Sequence, residues 1–383
     1  MTSHMSTTPA RRRFIDVHVL QTVPPSNLNR DDAGAPKEAT YGGVRRPRAS
    51  SQAWKRATRI AFAALGIDES RLGTRTKQIA DHLAGRIAAR TGLDETSAAR
   101  LAAAVIAPLG ITASKNKEEE SAYLLFYGNK QIEQLVDLVA DRAAELVVLD
   151  DKHLASEFTA AQARNALMTG HPIDVALFGR MVANVPDIDV DAACQVAHAI
   201  ATHGAELEFD FYTAVDDRQA ADSKGAGMMG RIGFNSATFY RYGAVSLHQL
   251  ETNLNDHAAA VQAATAFVSA FVRSMPTGYG NSFAHRTMPQ LVALAVREDQ
   301  PVNLVTAFEK PITAYGATGY AAPSAEALAA EQHAITTTWG APALWTGVTH
   351  SFADDTAKAL DGAFGQALTF PGMLDALTAE LAR

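Results

Sequence analysis

The chain has 383 residues, of which 47% are hydrophobic and 20% charged, a composition typical of a folded protein with a substantial core. Cys194 is the single cysteine, which excludes an internal disulfide and a zinc site built from several cysteines. The net charge is −7, but residues 1–59 hold eleven Lys/Arg against four Asp/Glu, so the remaining 324 residues carry −14. An acidic protein with one concentrated basic segment is expected to bind a polyanion.

No stretch approaches the ~18 consecutive apolar residues that a membrane span needs. The Ser/Thr/Pro/Arg stretch after Met5 lacks the apolar run of a signal peptide. Together with the low cysteine content, these features predict a cytoplasmic protein without membrane contact.

Residues 14–23 (FIDVHVLQTV) are apolar and β-branched, which predicts a strand. The segment PPSNLNRDDAGAPKEATYGG follows, and its Pro, Asn, Asp and Gly content predicts a long loop. A helix is predicted from Ser50, with Ser50 or Ser51 as N-cap. An apolar stripe at helical spacing is then formed by Trp54, Ala57, Ala61 and Leu65.

Residues 28–59 contain eight Lys/Arg and the start of this helix. Lys and Arg neutralise phosphates and release counterions, and a helix N-terminus offers free N–H groups to an anion. Gly42 and Gly43 would let backbone N–H groups approach closely. The segment therefore predicts a phosphate-binding cradle; a solvated basic surface or a basic disordered arm is the alternative.

Residues 60–181 are expected to be mostly helical, because Ala-rich or amphipathic runs alternate with Gly and Pro. The predicted helical runs are KQIADHLAGRIAAR, ETSAARLAAAVIAPL, EESAYLLFYG, NKQIEQLVDLVADRAAELVVL and TAAQARNALMTG. After them, residues 190–203 predict a helix, ELEFDFYTAV a half-buried strand, and residues 238–247 another strand. The order strand, helix, strand, strand, helix, strand is that of a ferredoxin-like sheet, here interrupted by a helical insertion.

Phe211 and Tyr212 are neighbours on a predicted strand, so one ring is expected in the core while the other is free to stack on a base. The alternative is a pair of ordinary sheet aromatics. Arg180 beside Met181 suggests a wedge between bases, although a lone Met is more often a core residue. Cys194 is expected to be a small buried apolar residue.

Catalytic and metal-binding patterns are absent from the sequence: there is no HExxH and no P-loop, and His198 and His203 are not at helical spacing. The sequence therefore predicts a protein without enzymatic activity or cofactor. One alternative is an RNA-processing endonuclease using His18, or His285 with Arg286, as general base. Another is a metabolic α/β enzyme with an incidental basic N-terminus; co-purified RNA would speak against it.

Several ordered segments together resemble a known family. They are FIDVHVLQTVPPSNLNRDD, YGGVRRPRASSQAWKRATR, FGRM, AHAIATH, FDFYTAVDD and AFEK. The chain is similar in these to the type I-E CRISPR Cascade backbone subunit, the CasC family. The resemblance implies an α+β fold: a ferredoxin-like (RRM-like) palm, a large helical fingers insertion and a β-hairpin thumb. The palm would comprise residues 13–59 and 182–383, the fingers 60–181, and the thumb about 205–236.

The resemblance also implies a function. Several copies would polymerise along one crRNA, hold its phosphate backbone and present its bases for pairing with a target DNA strand in antiviral defence. The implied partners are therefore crRNA, target DNA through the guide, neighbouring copies and other Cascade subunits.

By position, the family's RNA contacts fall on a loop, a helix, a Met and the thumb. The loop and helix residues would touch the crRNA backbone; they are Arg30, Lys37, Ser50, Gln52, Lys55, Arg56 and Arg59. Met181 would lie beside the displaced nucleotide, and the thumb contact would consist of Phe211, Tyr212 and Thr213. The family often has Trp-Phe where this chain has Phe211-Tyr212, and stacking is expected to survive that change.

Overall fold

The computed structural model describes residues 12–111, 113–114, 117–121, 124–182, 185–214, 228–314 and 319–383. Their contact pattern separates two compact units. The first unit comprises the residues up to Phe62 together with Gln195–Ser246 and Ala264–Arg383; the second comprises Ala63–Cys194 and Leu247–Ala263. No helix among the described residues is long and apolar enough to cross a membrane.

The strands, in chain order, are β1 (Phe14–Ser26), β2 (Glu38–Tyr41), β3 (Val44–Ala49), β4 (Gly73–Thr76), β5 (Ala113–Ser114), β6 (Lys117–Ser121), β7 (Leu125–Gly128), β8 (Cys194–Val196), β9 (Ala199–Ala201), β10 (Glu208–Ala214), β11 (Met228–Ser246), β12 (Leu291–Arg297) and β13 (Trp345–His350). The helices are α1 (Ser51–Ala64), α2 (Ile79–Thr91), α3 (Glu95–Ile106), α4 (Asn129–Asp137), α5 (Ala143–Leu146), α6 (Asp151–Ser156), α7 (Ala160–Met168), α8 (Ile173–Phe178), α9 (Leu247–Leu254), α10 (His257–Arg273), α11 (Gly280–Phe283), α12 (Ala321–Trp339), α13 (Asp354–Phe364) and α14 (Phe370–Leu381).

The first unit is built on an antiparallel sheet in the order β13–β12–β1–β11–β9–β3–β2. Strand β1 is central and pairs with β11 from Phe14↔Ser246 to Val23↔Ala237. Residues 14–20 of β1 are all buried, so both faces of the sheet are covered. The sequence prediction of a strand at residues 14–23 is confirmed, and the strand continues to Ser26.

Each face of the sheet packs against different helices. On one face, Leu20 and its cross-strand partner Tyr240 join a cluster that includes Phe308, Leu328 and Phe364. On the other face, the guanidinium of Arg241 lies 3.8 Å from the ring of Trp54 in α1 and 4.7 Å from that of Phe271 in α10. Trp54 is buried, and because a large buried apolar side chain contributes about 1.5–3 kcal/mol, this second layer fixes α1 on the sheet.

The apolar side of α1 differs from the predicted stripe. The buried residues are Trp54, Thr58 and Phe62, while Ala57 and Ala61 are half-buried. Thr58 is accommodated because its hydroxyl donates to the carbonyl oxygen of Trp54 at 2.9 Å. The sequence interpretation missed Thr58 because a buried Thr satisfied within its own helix looks polar in a sequence pattern.

The second unit has its own core, in which α2, α3, α4 and α7 contribute Leu83, Leu101, Leu135 and Leu167. The prediction of a mostly helical segment is confirmed for these helices. It is wrong for EESAYLLFYG, where Lys117–Ser121 and Leu125–Gly128 are strands. The buried run in β7 pairs with β4, a partner about fifty residues earlier, and such a distant pairing overrides local helix propensity.

Two further expectations are wrong. Residues 190–203 do not form a helix: β8 and β9 lie there, and Ala201 of β9 pairs with Phe239 of β11. Ala-rich segments favour helix in isolation, but here β9 is paired on both sides, with β11 and β3, and these strands supply the hydrogen bonds. The long loop predicted after residue 23 is shorter, because Glu38–Tyr41 forms β2 and pairs with β3.

The chain passes from the first unit to the second after Phe62 and returns to the first after Cys194. It enters the second unit once more for Leu247–Ala263. The sequence placed these boundaries after residues 59 and 181. The assignment of the pieces to palm and fingers stays a prediction. In the predicted thumb at about 205–236, β10 and β11 pair from Glu208↔Phe234 to Ala214↔Met228, and residues 215–227 lie outside the described part of the chain.

Candidate nucleic-acid interface

The N-terminus of α1 is capped by Ser50. The hydroxyl of Ser50 accepts a hydrogen bond from the backbone N–H of Ala53 at 3.2 Å, which satisfies one of the free donors of the first turn. Gln52 and Arg56 are exposed, and Lys55 and Arg59 are half-buried. Gln52 and Arg56 therefore lie away from the buried Trp54 side, whereas Lys55 and Arg59 are partly covered.

The loop after β1 is fastened to this helix start. The side-chain oxygen of Asn29 accepts from the N–H of Ser50 at 2.8 Å, and its carbonyl oxygen accepts from the N–H of Lys37 at 2.8 Å. Arg30 and Pro36 form an antiparallel bridge that closes the loop. The carbonyl of Lys37 in turn accepts from the N–H of Arg48 at 2.8 Å. One hydrogen bond to the Asn29 side chain and several between backbone groups thus bring Arg30, Lys37 and Ser50 into one connected structure.

His198 completes the helix start from a distant part of the chain. Its Nδ1 accepts from the N–H of Ser51 at 2.9 Å and lies 3.3 Å from a guanidinium nitrogen of Arg48. Burial, the charge of Arg48 and the charge of Lys37 lower the pKa of His198, in that order of importance. A neutral imidazole with a free Nδ1 is the form that can accept from Ser51.

Not every basic residue of the segment faces outward. Arg46 is fully buried and donates to the carbonyl oxygens of Tyr41, Ala201, Thr202 and Glu309. Its role is structural, so Arg46 adds to the charge of residues 28–59 without offering its guanidinium to a phosphate. A charge count along the sequence cannot distinguish an arginine that satisfies carbonyl groups from one that faces solvent.

Gly42 is also explained by internal packing. Gly42 and Gly43 form the two-residue turn between β2 and β3, with φ of 59° and 80°, as a tight hairpin turn requires. A Cβ on Gly42 would collide with the carbonyl of Glu309, whereas one on Gly43 would meet no atom within 4 Å. The expectation that both glycines open the backbone to an anion is wrong for Gly42, whose open side is filled by the protein.

The paired strands β10 and β11 present exposed aromatic rings. Phe209 is 48%, Phe211 63% and Tyr212 38% exposed. The expectations of a half-buried strand, and of one ring in the core, are therefore wrong. The guanidinium of Arg231 lies 3.5 Å from the centre of the Phe209 ring, on the face that Phe211 and Thr213 share.

Met181 lies in the second unit and is 82% exposed, so it is not a core residue. Its neighbour Arg180 is buried and donates to the carbonyl oxygens of Ile188, Phe126 and Leu167. The expectation that Arg180 helps to wedge bases is wrong, because its guanidinium is used inside the unit. These bonds fix the backbone from which Met181 projects.

The candidate catalytic histidines are enclosed. His18 is completely buried, its Nδ1 lies 2.9 Å from the hydroxyl of Tyr240, and burial together with Arg297 lowers its pKa to about 3. His285 is also buried, with Nε2 3.2 Å from the carbonyl oxygen of Pro276. Cys194 is buried, as expected. Across the part of the chain that the structure covers, no cluster of three His, Cys, Asp or Glu is placed to hold a metal ion.

The structure joins Arg30, Lys37 and Ser50, and α1 continues from them with Gln52, Lys55, Arg56 and Arg59. We call this set, with Asn29, Arg48 and His198, the basic cradle. Phe211, Tyr212 and Thr213 lie on β10 of the same unit. Sequence reasoning missed Asn29 and His198. The contact from His198 spans 147 residues, which no local pattern reveals.

Comparisons with known proteins agree with this architecture. A solved chain from a structure described as "CRISPR RNA-guided surveillance complex, pre-nicking" is 33% identical, with a TM-score of 0.82, covering 96% of this chain and 100% of that one. Another, from a "CRISPR RNA-guided surveillance complex", is 30% identical, with a TM-score of 0.74 and coverage of 96% and 99%. Comparison with curated protein sequences gives no significant match. The model of the CT1975-like protein family matches residues 15–376, and the chain belongs to that family.

Proposed function

We propose that this chain is a non-catalytic, crRNA-binding backbone subunit of a type I-E CRISPR Cascade surveillance complex. The proposal is supported by its similarity to chains of two solved CRISPR RNA-guided surveillance complexes over almost its whole length. The observation that carries it is the hydrogen-bonded connection between the loop of Arg30 and Lys37 and the capped start of α1.

The cradle suits an RNA of any sequence. Its side chains are mainly cationic, and the others are polar groups that can donate a hydrogen bond to a phosphate oxygen. Phosphate contacts of this kind hold a strand in register without reading its bases. The guide would keep its bases for pairing with the target DNA strand. Exposed Phe211 and Tyr212 add stacking surfaces, which tolerate any base because every base has a π-face.

The strand order supports a ferredoxin-like palm. Along the chain, β1, β9, β11 and β12 would be its first to fourth strands, and in the sheet they stand in the order β12–β1–β11–β9. Helix α1 lies between the first and second of these strands, and α10 between the third and fourth. The helices of residues 60–181 would then be the fingers, and β10 with the start of β11 the thumb.

The absence of catalysis is part of the proposal and is supported by the burial of His18 and His285. A general base must come within hydrogen-bond reach of the proton that it removes from a bound substrate. The proposal also includes the partners that the family resemblance implies: neighbouring copies along the guide, target DNA paired to it, and other Cascade subunits, all in the cytoplasm.

Titration with single-stranded RNA at several salt concentrations tests the proposal. Five of the six cradle cations would each neutralise a phosphate, namely Arg30, Lys37, Lys55, Arg56 and Arg59; Arg48 lies against His198 instead. The expected log–log salt slope is then about −3.5, so affinity falls about 100-fold between 50 and 200 mM salt. RNAs of unrelated sequence should bind alike. Salt-independent binding, or none, would contradict the proposal.

A further inference from the structure

The segment between α10 and β12 holds two residues in a backbone conformation that side chains normally avoid. Tyr279 has φ of 48° and Ala284 has φ of 43°, and neither is glycine. A left-handed conformation is unusual for a bulky aromatic residue. Such a residue persists only where its surroundings hold it, and it then often marks a functional position.

The surroundings that hold this segment are visible. A Cβ on Gly278 would come 2.5 Å from the carbonyl oxygens of both Asn27 and Leu28, so the two backbones touch. The hydroxyl of Thr287 donates to the carbonyl oxygen of Thr22 at 2.8 Å. The segment is thus fixed against the end of β1 and the first residues of the loop that carries Arg30.

This packing places an arginine over a ring. The guanidinium carbon of Arg30 lies 4.7 Å from the centre of the Tyr279 ring, within the range of a cation–π contact. Tyr279 meets Phe283 edge-to-face at 6.4 Å and 88°, and Phe283 lies 5.9 Å from Phe234 of β11. Arg30 is exposed and the three rings are half-buried. The guanidinium therefore lies over an aromatic support, and Arg30 remains exposed to solvent.

From this geometry we infer that Arg30, supported by Tyr279, is a stacking platform for a nucleobase of the bound RNA, in addition to any phosphate contact. The inference rests on the proposed function, since it concerns the same RNA. A planar guanidinium stacks on bases as aromatic rings do. A cation needed only for a phosphate requires neither planarity nor a ring held in a disfavoured conformation beneath it.

Two substitutions separate stacking from charge. Arg30→Lys keeps the positive charge but removes the planar group. Tyr279→Asn removes the ring and leaves a residue that tolerates the left-handed conformation. Ala284→Gly is the matched control, because it relieves the second left-handed position of the segment without touching a ring. Circular dichroism and thermal unfolding establish that each variant is folded.

Each protein is titrated with a short single-stranded RNA and with an abasic oligonucleotide of the same length and phosphate number. We expect Arg30→Lys and Tyr279→Asn each to weaken binding of the RNA by about 5- to 150-fold, the range for loss of one stacked base. Neither should change the affinity for the abasic strand by more than about 2-fold, and Ala284→Gly should match the unsubstituted chain with both probes.

Equal losses on both strands, or no loss on the RNA, would overturn the platform while leaving the proposed function in place. If the unsubstituted chain binds the RNA no more tightly than the abasic strand, the platform is again wrong. Failure of the unsubstituted chain to bind either strand would overturn the proposed function, and the platform with it.

Discussion

Asn29 Oδ1 accepts a hydrogen bond of 2.8 Å from the backbone N–H of Ser50, which joins the loop of the basic cradle to the N-cap of α1. Asn29 also holds Lys37 through its carbonyl oxygen. The residue therefore sets the relative position of the loop cations and the helix, although it carries no charge itself.

Substituting Asn29 should disturb RNA binding through geometry. In Asn29→Ala the nearly buried N–H of Ser50 loses its acceptor, which we expect to cost about 1–3 kcal/mol in the free energy of unfolding. RNA affinity should fall because Arg30 and Lys37 are no longer aligned with α1. Chemical denaturation and RNA titration measure the two effects.

Asn29→Asp separates alignment from charge in the same position. The carboxylate can still accept from Ser50 and is favoured near a helix N-terminus, so stability should be close to that of the unsubstituted chain. Its negative charge should weaken RNA binding. If the Ala and Asp variants bind RNA as tightly as the original, Asn29 does not organise the cradle.

The cations of α1 should appear in the salt dependence. Lys55→Gln with Arg56→Gln removes two positive charges while keeping long polar side chains. Each lost phosphate contact on a single strand changes the log–log salt slope by about 0.7, so the slope should become about 1.4 less steep. Stability should change little, because neither side chain is fully buried.

Lys358→Gln is the matched control for that double variant, since Lys358 is exposed on α13 and pairs with Asp355. It removes a surface charge of the same unit outside the cradle, and both the slope and the affinity should be unchanged. An unaltered slope in the α1 variant would mean that Lys55 and Arg56 do not face phosphate.

His198 should give the cradle a pH dependence. Its pKa is lowered by burial and by the charges of Arg48 and Lys37, so the folded state binds the proton more weakly than the unfolded state, whose pKa is about 6.5. The contribution of neutral His198 to the free energy of unfolding is therefore fully present above about pH 6.5, and it declines as the pH falls toward the lowered pKa of the folded state. Protonation at Nδ1 also removes the acceptor for Ser51.

His198→Asn tests this assignment, because the amide oxygen can accept from Ser51 but does not titrate. Between pH 7 and pH 5, the variant should lose less stability in denaturant unfolding than the original chain, and the two should agree more closely at pH 8. Titration of the imidazole by NMR gives a direct measurement. A pKa at or above the ordinary value would show that Arg48 and Lys37 do not act on this ring.

Two neighbouring glycines should respond very differently to the same substitution. In Gly42→Ala the new methyl group would collide with the carbonyl of Glu309 in a left-handed conformation. We expect a loss of several kcal/mol in unfolding free energy, as for other severe steric conflicts. Gly43→Ala meets no atom within 4 Å and should cost only about 1 kcal/mol for its conformation. Equal effects would show that Glu309 does not limit the turn.

The elements that sequence predicted correctly are those whose pattern is local. Strand β1 and helices α1 and α2 are indicated by local runs of β-branched or helix-forming residues. The errors concern β7 and β9, which become strands only because β4 and β11 lie beside them. A partner about forty or more residues away leaves no trace in a window of ten.

In the candidate site, too, local features were predictable and tertiary contacts were not. Ser50 as a cap and the exposed cations of α1 follow from local chemistry, and the structure has the cap as predicted. Arg46 cannot be told from the neighbouring arginines in the sequence, but its guanidinium donates hydrogen bonds to four carbonyl oxygens. His198 reaches the helix start only through the sheet. Charge can be counted from sequence, whereas the direction in which each charge points depends on tertiary contacts.

The exposed ring of Phe211 offers the clearest separation of RNA binding from folding. The side chain is 63% exposed, so Phe211→Ala should leave the free energy of unfolding within about 0.5 kcal/mol of the original. If the ring stacks on a base, RNA affinity should fall by about 1–3 kcal/mol, equivalent to about 5- to 150-fold.

The matched control is Trp339→Ala, because Trp339 is 76% exposed at the end of α12, outside the cradle and the β10–β11 pair. This variant removes a larger exposed ring and should leave RNA affinity unchanged. Equal losses in the two variants would indicate a general effect of exposed aromatic residues, and no loss in Phe211→Ala would remove β10 from the RNA interface.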